Sequence, residues 1–459
     1  MVHRRTHMAL SLLVTLLVVL ALLPGVPVPG WPGPAPVEAA GTTIFTPGWL
    51  SEEVDPTKSV AWGDYDGDGD LDLAVGNARQ PNQVYRNDGG SLVLAWSAPE
   101  TDRTTSVAWG DYDGDGDLDL AVGNSSGPNR VYRNDGGSLT LAWSAPVTDS
   151  TTSVAWGDYD GDGDLDLAVG NDRQSNRVYR NDGGSLVLAW SSTETDSTTS
   201  VAWGDYDGDG DLDLAVGNQP NAVWIYTYQG GQNRVYRNDG GSLVLAWSST
   251  ETDVTTSVAW GDYDGDGDLD LAVGNEPISS AINVYEGGQN RVYRNDGGSL
   301  VLAWSSPETD FTTSLAWGDY DGDGDLDLAV GNVPNAVWIY TYQGGQNRVY
   351  RNDGGSLVLA WSSTETDSTT SVAWGDYDGD GDLDLTVGNY YGPNRVYRND
   401  GESLALAWSS TETDVTFSVA WGDYDGDGDL DLAVGNYNGQ PNRVYRNDGG
   451  EPRPRLVLD

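Results

Sequence analysis

Five carboxylates stand within nine residues at Asp64, Asp66, Asp68, Asp70 and Asp72, spaced as D-x-D-x-D-G-D-L-D. Held that close, they repel one another strongly unless a cation sits among them. The nonapeptide recurs at Asp111, Asp113, Asp115, Asp117 and Asp119, and at Asp158, Asp160, Asp162, Asp164 and Asp166. It returns at Asp205, Asp207, Asp209, Asp211 and Asp213, and at Asp262, Asp264, Asp266, Asp268 and Asp270. Three further copies place it at Asp319, Asp321, Asp323, Asp325 and Asp327, at Asp376, Asp378, Asp380, Asp382 and Asp384, and at Asp423, Asp425, Asp427, Asp429 and Asp431. Eight unchanged copies argue for a bound ion rather than a solvated acidic turn. Hard oxygen ligands suit Ca²⁺, which takes six to eight of them, whereas Mg²⁺ keeps its waters and rarely uses an all-protein cage. About eight calcium ions are expected, with extracellular-type affinities of ~10⁻⁴ to 10⁻³ M. They would offset a third of the formal charge of −48.

The spacing follows the first half of an EF-hand loop, with side chains at positions 1, 3 and 5, Gly at 6 and a backbone carbonyl at 7. Position 12, where that loop needs a bidentate Glu, is Val75 in a strand-like run. Asp72, at position 9, must complete the cage instead. Other chemistries are poorly supplied. The 459 residues contain no Cys, and the only His and Met are His3, His7, Met1 and Met8. Past the first forty residues, histidine-based nucleophilic catalysis and His- or Cys-ligated metals are excluded. The Glu-Thr-Asp tripeptides, such as Glu194 to Asp196, could pair carboxylates as a glycosidase does. They recur in most units, whereas an active site is a single asymmetric constellation, so no enzyme is expected; a polysaccharide-acting extracellular enzyme and a structural cell-envelope repeat protein are the alternatives to a recognition module. Clustered Lys and Arg are absent, which excludes nucleic acid as a partner.

The acidic loops are carried by a repeat. The first Asp of each loop is 47 or 57 residues from the next. Each unit reads SVAWG, the acidic loop, LDLAVGN, a variable loop, NRVYRND, a Gly-Gly turn and SLVLAWS. Four segments per unit alternate with period 2: Val60 and Trp62 share a face, as do Leu71, Leu73 and Val75, and as do Leu92, Leu94 and Trp96. Four short strands, labelled a to d, in a repeat of this length are the signature of a β-propeller blade. The fold class is all-β: a β-propeller of eight four-stranded blades. Strand d is missing from the eighth unit, and TPGWLSEEVD around Trp49 looks like a degenerate strand d. The N-terminal strand is therefore expected to close the ring, which removes exposed edges. Arg455 to Leu458 is the competing closing strand, and a linear solenoid is the alternative architecture.

The SVAWGDYDGDGDLDLAVGN units resemble FG-GAP/VCBS repeats, the blades of integrin-α-type propellers, over roughly residues 42–450. Trp62-Gly63 stands where that family has Phe-Gly, and Ala-Val-Gly-Asn replaces its Gly-Ala-Pro element. The resemblance implies calcium held by the side chains at loop positions 1, 3, 5 and 9 and the carbonyl at 7. In the first unit these are Asp64, Asp66, Asp68, Asp72 and Asp70.

Residues 1–39 read as a signal peptide: Arg4 and Arg5 precede an apolar run from Ala9 to Leu23, short for a bilayer core of ~30 Å. A retained anchor is the alternative. Residues 41–459 form the propeller, secreted or at the cell surface, and the high charge predicts a monomer. In a meander, the a–b loops and c–d turns share one end, and the b–c and d–a loops share the other. Sequence variation is in the b–c loops, where three units carry insertions. Trp224, Tyr226 and Tyr228, and again Trp338, Tyr340 and Tyr342, fall on one face of an extended segment. They are the candidate binding residues for an extracellular carbohydrate or protein. Packing of an elongated hairpin, or a duplicated strand c, is the competing account. Fifteen of 22 Arg lie in NRVYRND segments and are expected to pair with neighbouring acidic loops.

Overall fold

Short β-branched and aromatic runs bounded by Gly, Asn and Asp turns fold as antiparallel meanders. The computed structural model describes residues 45–449 except 225–226, 282–283, 287, 339–340, 344 and 402, and only the backbone of the three insertions. The expected leader and the Arg455–Leu458 segment lie outside the described residues. In the first unit strand a is Thr57–Gly63, b is Asp72–Asn77, c is Gln83–Asn87 and d is Leu92–Ser97. Each pairs with the next. Each of the first seven units forms a four-stranded antiparallel meander in this way, the seventh being linked to the last sheet by the pairing of Tyr390 with Val415. No helix occurs among the described residues. The architecture is all-β and is consistent with a β-propeller.

The last sheet is closed by the other end of the chain. Strands Val415–Gly422, Asp431–Tyr437 and Arg443–Asn447 take Phe45–Leu50 as their fourth, with Phe45 opposite Asn447 and Trp49 opposite Val444. Trp49 meets Tyr85 edge-on at 4.7 Å, as Trp96 meets Tyr132 at 4.8 Å. The reading of Trp49 as a strand-d tryptophan holds.

The core lies between sheets. Tyr65, Ala74 and Val84 of the first unit pack on Val107, Leu120, Val122, Tyr132 and Leu139 of the second. Tyr424, Ala433 and Val444 of the last unit pack on Val60, Leu73, Val75, Tyr85 and Leu92 of the first. Strand b is therefore buried on both faces along its whole length. Leu73 and Val75 share a face as expected, both packing on the last unit, while Ala74 between them packs on the second unit. Trp96, by contrast, does not share a face with Leu92. The c–d register shifts between Val84 and Tyr85, so Leu94 lies opposite Tyr85 and Trp96 opposite Val84. This bulge turns Trp96 toward the following sheet. Strand a is innermost, where neighbouring sheets come closest. Trp109 Nε1 donates to Ala61 O at 3.2 Å, and a Cβ at Gly63 would stand 2.7 Å from Trp109 Cδ1. Only glycine permits that approach.

Candidate metal centres

Each acidic loop runs from the end of strand a to the start of strand b, and both strands fix it. Asp72 opens strand b and is fully buried. Its Oδ2 accepts from Tyr65 N and its Oδ1 from Asn87 N, both at 2.7 Å. It thus ties the loop to strand c. Asp64 folds the loop on itself, accepting from Gly67 N at 2.8 Å and Gly69 N at 3.1 Å. Gly67 and Gly69 have φ of 75° and 96°, the left-handed region glycine adopts freely. Asp68 Oδ1 accepts from Asp70 N at 2.9 Å.

These constraints bring carboxylates together. One oxygen each from Asp64, Asp66 and Asp72 lies within 4.8 Å of the others, and so do those of Asp158, Asp160 and Asp166, of Asp205, Asp207 and Asp213, and of Asp262, Asp264 and Asp270. In the second unit the group is Asp111, Asp113 and Asp115. Such clusters could hold metal ions. The donor set passes a sharper test at position 3. The Oδ1 atoms of Asp66, Asp113, Asp160, Asp207, Asp264, Asp321 and Asp425 are buried without a hydrogen-bond partner. Buried polar atoms are normally satisfied, so an oxygen left free in this way is available to a cation. Electrostatics agree. Burial pushes Asp72 up to about 6, against its two backbone hydrogen bonds, and Asp66 and Asp68 add to the rise. Asp384 and Asp431 are pushed to about 7 by the same causes.

The position-7 carboxylate does not face the cluster. Asp70 Oδ2 accepts from Gly89 N at 2.8 Å in the c–d turn, and Asp164, Asp211, Asp268 and Asp325 make the equivalent bond. The spacing assigns the backbone carbonyl of that residue, rather than its side chain, to the site. The bond also places the a–b loops and c–d turns at one end. Sequence reading missed the hub of that turn. Asn87 Nδ2 donates to Leu71 O at 3.0 Å and, across the sheet boundary, to Tyr424 O at 2.6 Å. Its Oδ1 accepts from Gly90 N and Ser91 N. The available signal was the unvarying Tyr after the first loop Asp and the unvarying Asn of RND.

The Arg expectation holds. Arg86 bridges Asp88 at 2.8 Å and Asp66 at 3.8 Å. The first Arg of each segment turns to the opposite end: Arg177 meets Asp149, and Arg443 meets both Asp414 and Glu412. The Glu-Thr-Asp carboxylates are thereby engaged. Glu100 accepts from Tyr132 OH at 2.7 Å and Glu194 from Tyr236 OH at 2.9 Å, while Arg130 and Arg234 take Asp102 and Asp196.

The insertions are two-stranded hairpins of their own. Asn221–Trp224 pairs with Thr227–Gln229, and Asn335–Trp338 with Thr341–Gln343. They do not extend the four-stranded sheet, whose strand c is Arg234–Asn238 and pairs directly with Asp213–Gln219. The duplicated-strand account is therefore corrected. Trp224, Tyr228, Trp338 and Tyr342 lie on these hairpin strands, while Tyr226 and Tyr340 lie outside the described residues.

An FG-GAP-like repeat profile matches residues 64–122, 111–169, 158–216, 218–273, 280–330, 334–387 and 377–434. An FG-GAP repeat profile matches 197–236, 254–293 and 311–350. A search of curated proteins finds no match. Among solved structures, Saccharomyces cerevisiae Sqt1 aligns with TM-score 0.64 at 12% identity, over 87% of this chain and 97% of that one. Chaetomium thermophilum Sqt1 bound to the N-terminus of the ribosomal protein L10 aligns at 0.60 and 17%, over 86% and 97%. The V. cholerae biofilm matrix protein Bap1 aligns at 0.57 and 13%, over 90% and 92%. At these identities the likeness is one of fold.

Proposed function

The chain belongs to the FG-GAP repeat family, and on that premise we propose that it is an exported, calcium-loaded propeller of eight blades that recognises an extracellular carbohydrate or protein. The observation that carries the calcium reading is the buried, partnerless Oδ1 at position 3, repeated around the molecule. In the first unit Asp64, Asp66, Asp68 and Asp72 would hold the ion with their carboxylates and Asp70 with its carbonyl. Bound calcium would supply the positive charge that these buried, mutually repelling groups lack. Asp72 would position the loop through its two backbone acceptor bonds. The count of eight is supported by the seven four-stranded meanders and the closing sheet that takes the N-terminal strand.

Export is supported by the charged and apolar pattern of residues 1–39 and by the choice of metal rather than disulfide staples. A binding role rather than catalysis is supported by the engagement of the repeated Glu and Asp side chains with Tyr and Arg. Near-identical blades make a scaffold, and their loops differ where recognition usually lives. Screening the calcium-loaded chain on glycan and matrix-protein arrays tests this. Calcium-dependent capture of at least one ligand class is expected. Silence on every array, with the protein shown to be folded, would overturn the recognition role.

A further inference from the structure

Near-identical repeats make departures from the pattern conspicuous. At the innermost strand a threonine of each sheet donates to the next: Thr105 to Thr151 O, Thr152 to Thr198 O, Thr199 to Thr255 O, Thr256 to Thr312 O, Thr313 to Thr369 O and Thr370 to Thr416 O, at 2.7–2.9 Å. The rung is replaced at two consecutive places, by Phe417 in the last unit and Lys58 in the first. These two meet: Lys58 Nζ lies 3.4 Å from the Phe417 ring centroid and 4.3 Å from that of Tyr437.

Aromatic residues continue from there. Phe417 is 5.2 Å from Tyr437 and 6.2 Å from Tyr390, and Tyr390 is 4.8 Å from Tyr391. Tyr390 and Tyr391 are 36% and 44% exposed. Asn438 Nδ2 donates to Tyr391 OH at 2.8 Å. On the other side the patch is cationic. Ala78 bridges Arg103, and Arg79 N donates to Asp102 O at 2.8 Å, which sets both exposed arginines beside the Lys58 strand. Among the described residues sixteen arginines have a carboxylate within 4.0 Å. The remaining described cations are Lys58, Arg79 and Arg103, and all three stand here. Burial and the adjacent Arg103 pull the Lys58 ammonium down to about 8, with no carboxylate acting in the other direction.

We infer that this seam, from Tyr390 and Tyr391 across Lys58 to Arg79 and Arg103, binds an anionic oligosaccharide. Tyrosine faces stack on pyranose rings, and the uncompensated guanidinium groups take carboxylate or sulfate groups bidentately. Charge complementarity selects the occupant: in a chain of net charge −48, this is where described positive charge is left unspent. The acidic loops lie at the opposite end, beside the c–d turns. The seam spans the seventh, eighth, first and second units, whereas the aromatic insertions belong to the fourth to sixth. The site names a ligand class within the recognition role proposed above and rests on that role.

The test is calorimetric titration of the full calcium-loaded chain. Its probes are a chondroitin sulfate tetrasaccharide, a hyaluronan tetrasaccharide, neutral N-acetylchitotetraose and a tetraglutamate peptide. Binding of a charged saccharide is expected, with the neutral one at least tenfold weaker. Arg103→Ala, Arg79→Ala and Tyr391→Ala should each weaken it at least fivefold, while Val187→Ala, exposed on strand d of the third unit and outside the seam, leaves it unchanged. Comparing hyaluronan with the sulfated probe separates carboxylate from sulfate recognition. Equal binding of the neutral saccharide, preference for tetraglutamate, indifference to the three variants, or no binding at millimolar probe would each overturn the inference. In those cases array capture through another surface would leave the recognition role standing.

Discussion

At the scale of single residues, two aspartates of one loop do different work. Asp72 is structural whether or not an ion is present, because two backbone N–H groups depend on it. Asp66 presents a buried oxygen that no protein group satisfies. Asp72→Ala should destabilise by about 2–4 kcal/mol in both calcium and chelator, since it orphans two buried donors. Asp66→Asn should cost about 1–2 kcal/mol in calcium but stabilise by up to ~1 kcal/mol in chelator, because it then removes only repulsion and desolvation. Urea unfolding of both variants in each condition checks the change of sign. The spacing of the loop made its donors legible. That Asp70 turns its carboxylate away, and that Asn87 locks the turn, was not legible, because both depend on the c–d turn that lies against the loop.

At the scale of elements, strand c carries a tyrosine whose hydroxyl is buried and in most units given to a Glu of the preceding link. Burial and the Glu bond hold these phenols above the ordinary value of 10. Tyr179, which has burial alone among its raising causes apart from the nearby Asp149, is pushed to about 12. A phenol that keeps its proton more tightly when folded stabilises the fold below pH 10, and that contribution is lost as pH climbs through the folded value. Tyrosinate absorbance from strand c should therefore emerge only near pH 12, together with loss of β ellipticity. Appearance of most of the absorbance near pH 10 in a protein that stays folded would contradict this. The existence, order and antiparallel pairing of the strands were readable from period-2 runs and turn residues. The face of Trp96 was not, because one bulged residue inverts it and alternation alone carries no mark of a bulge.

At the scale of the whole molecule, the ends of the chain meet in one sheet, and every inter-sheet core follows the same pattern. Phe45 and Trp49 fill the places of Leu and Trp in the other d strands. Trp49→Ala should thus cost about 3 kcal/mol, close to the cost of Trp96→Ala, as measured by chemical unfolding. A negligible cost would mean that the closing strand is dispensable. Closure was legible because a strand-d tryptophan was missing at one end of the sequence and present at the other. The cationic seam was not, because Lys58 meets Phe417 and Tyr437 only once the first and last sheets are neighbours. Self-repulsion among so many carboxylates makes the ring dependent on what neutralises it. With loops of ~10⁻⁴ to 10⁻³ M affinity, 5 mM calcium should contribute about 1–2 kcal/mol per loop. The most direct measurement is a thermal melt of the purified chain in 5 mM calcium, 5 mM magnesium and chelator. Eight cooperating loops predict a large upward shift of the transition in calcium and little change in magnesium. Superimposable melts in all three would contradict the calcium assignment.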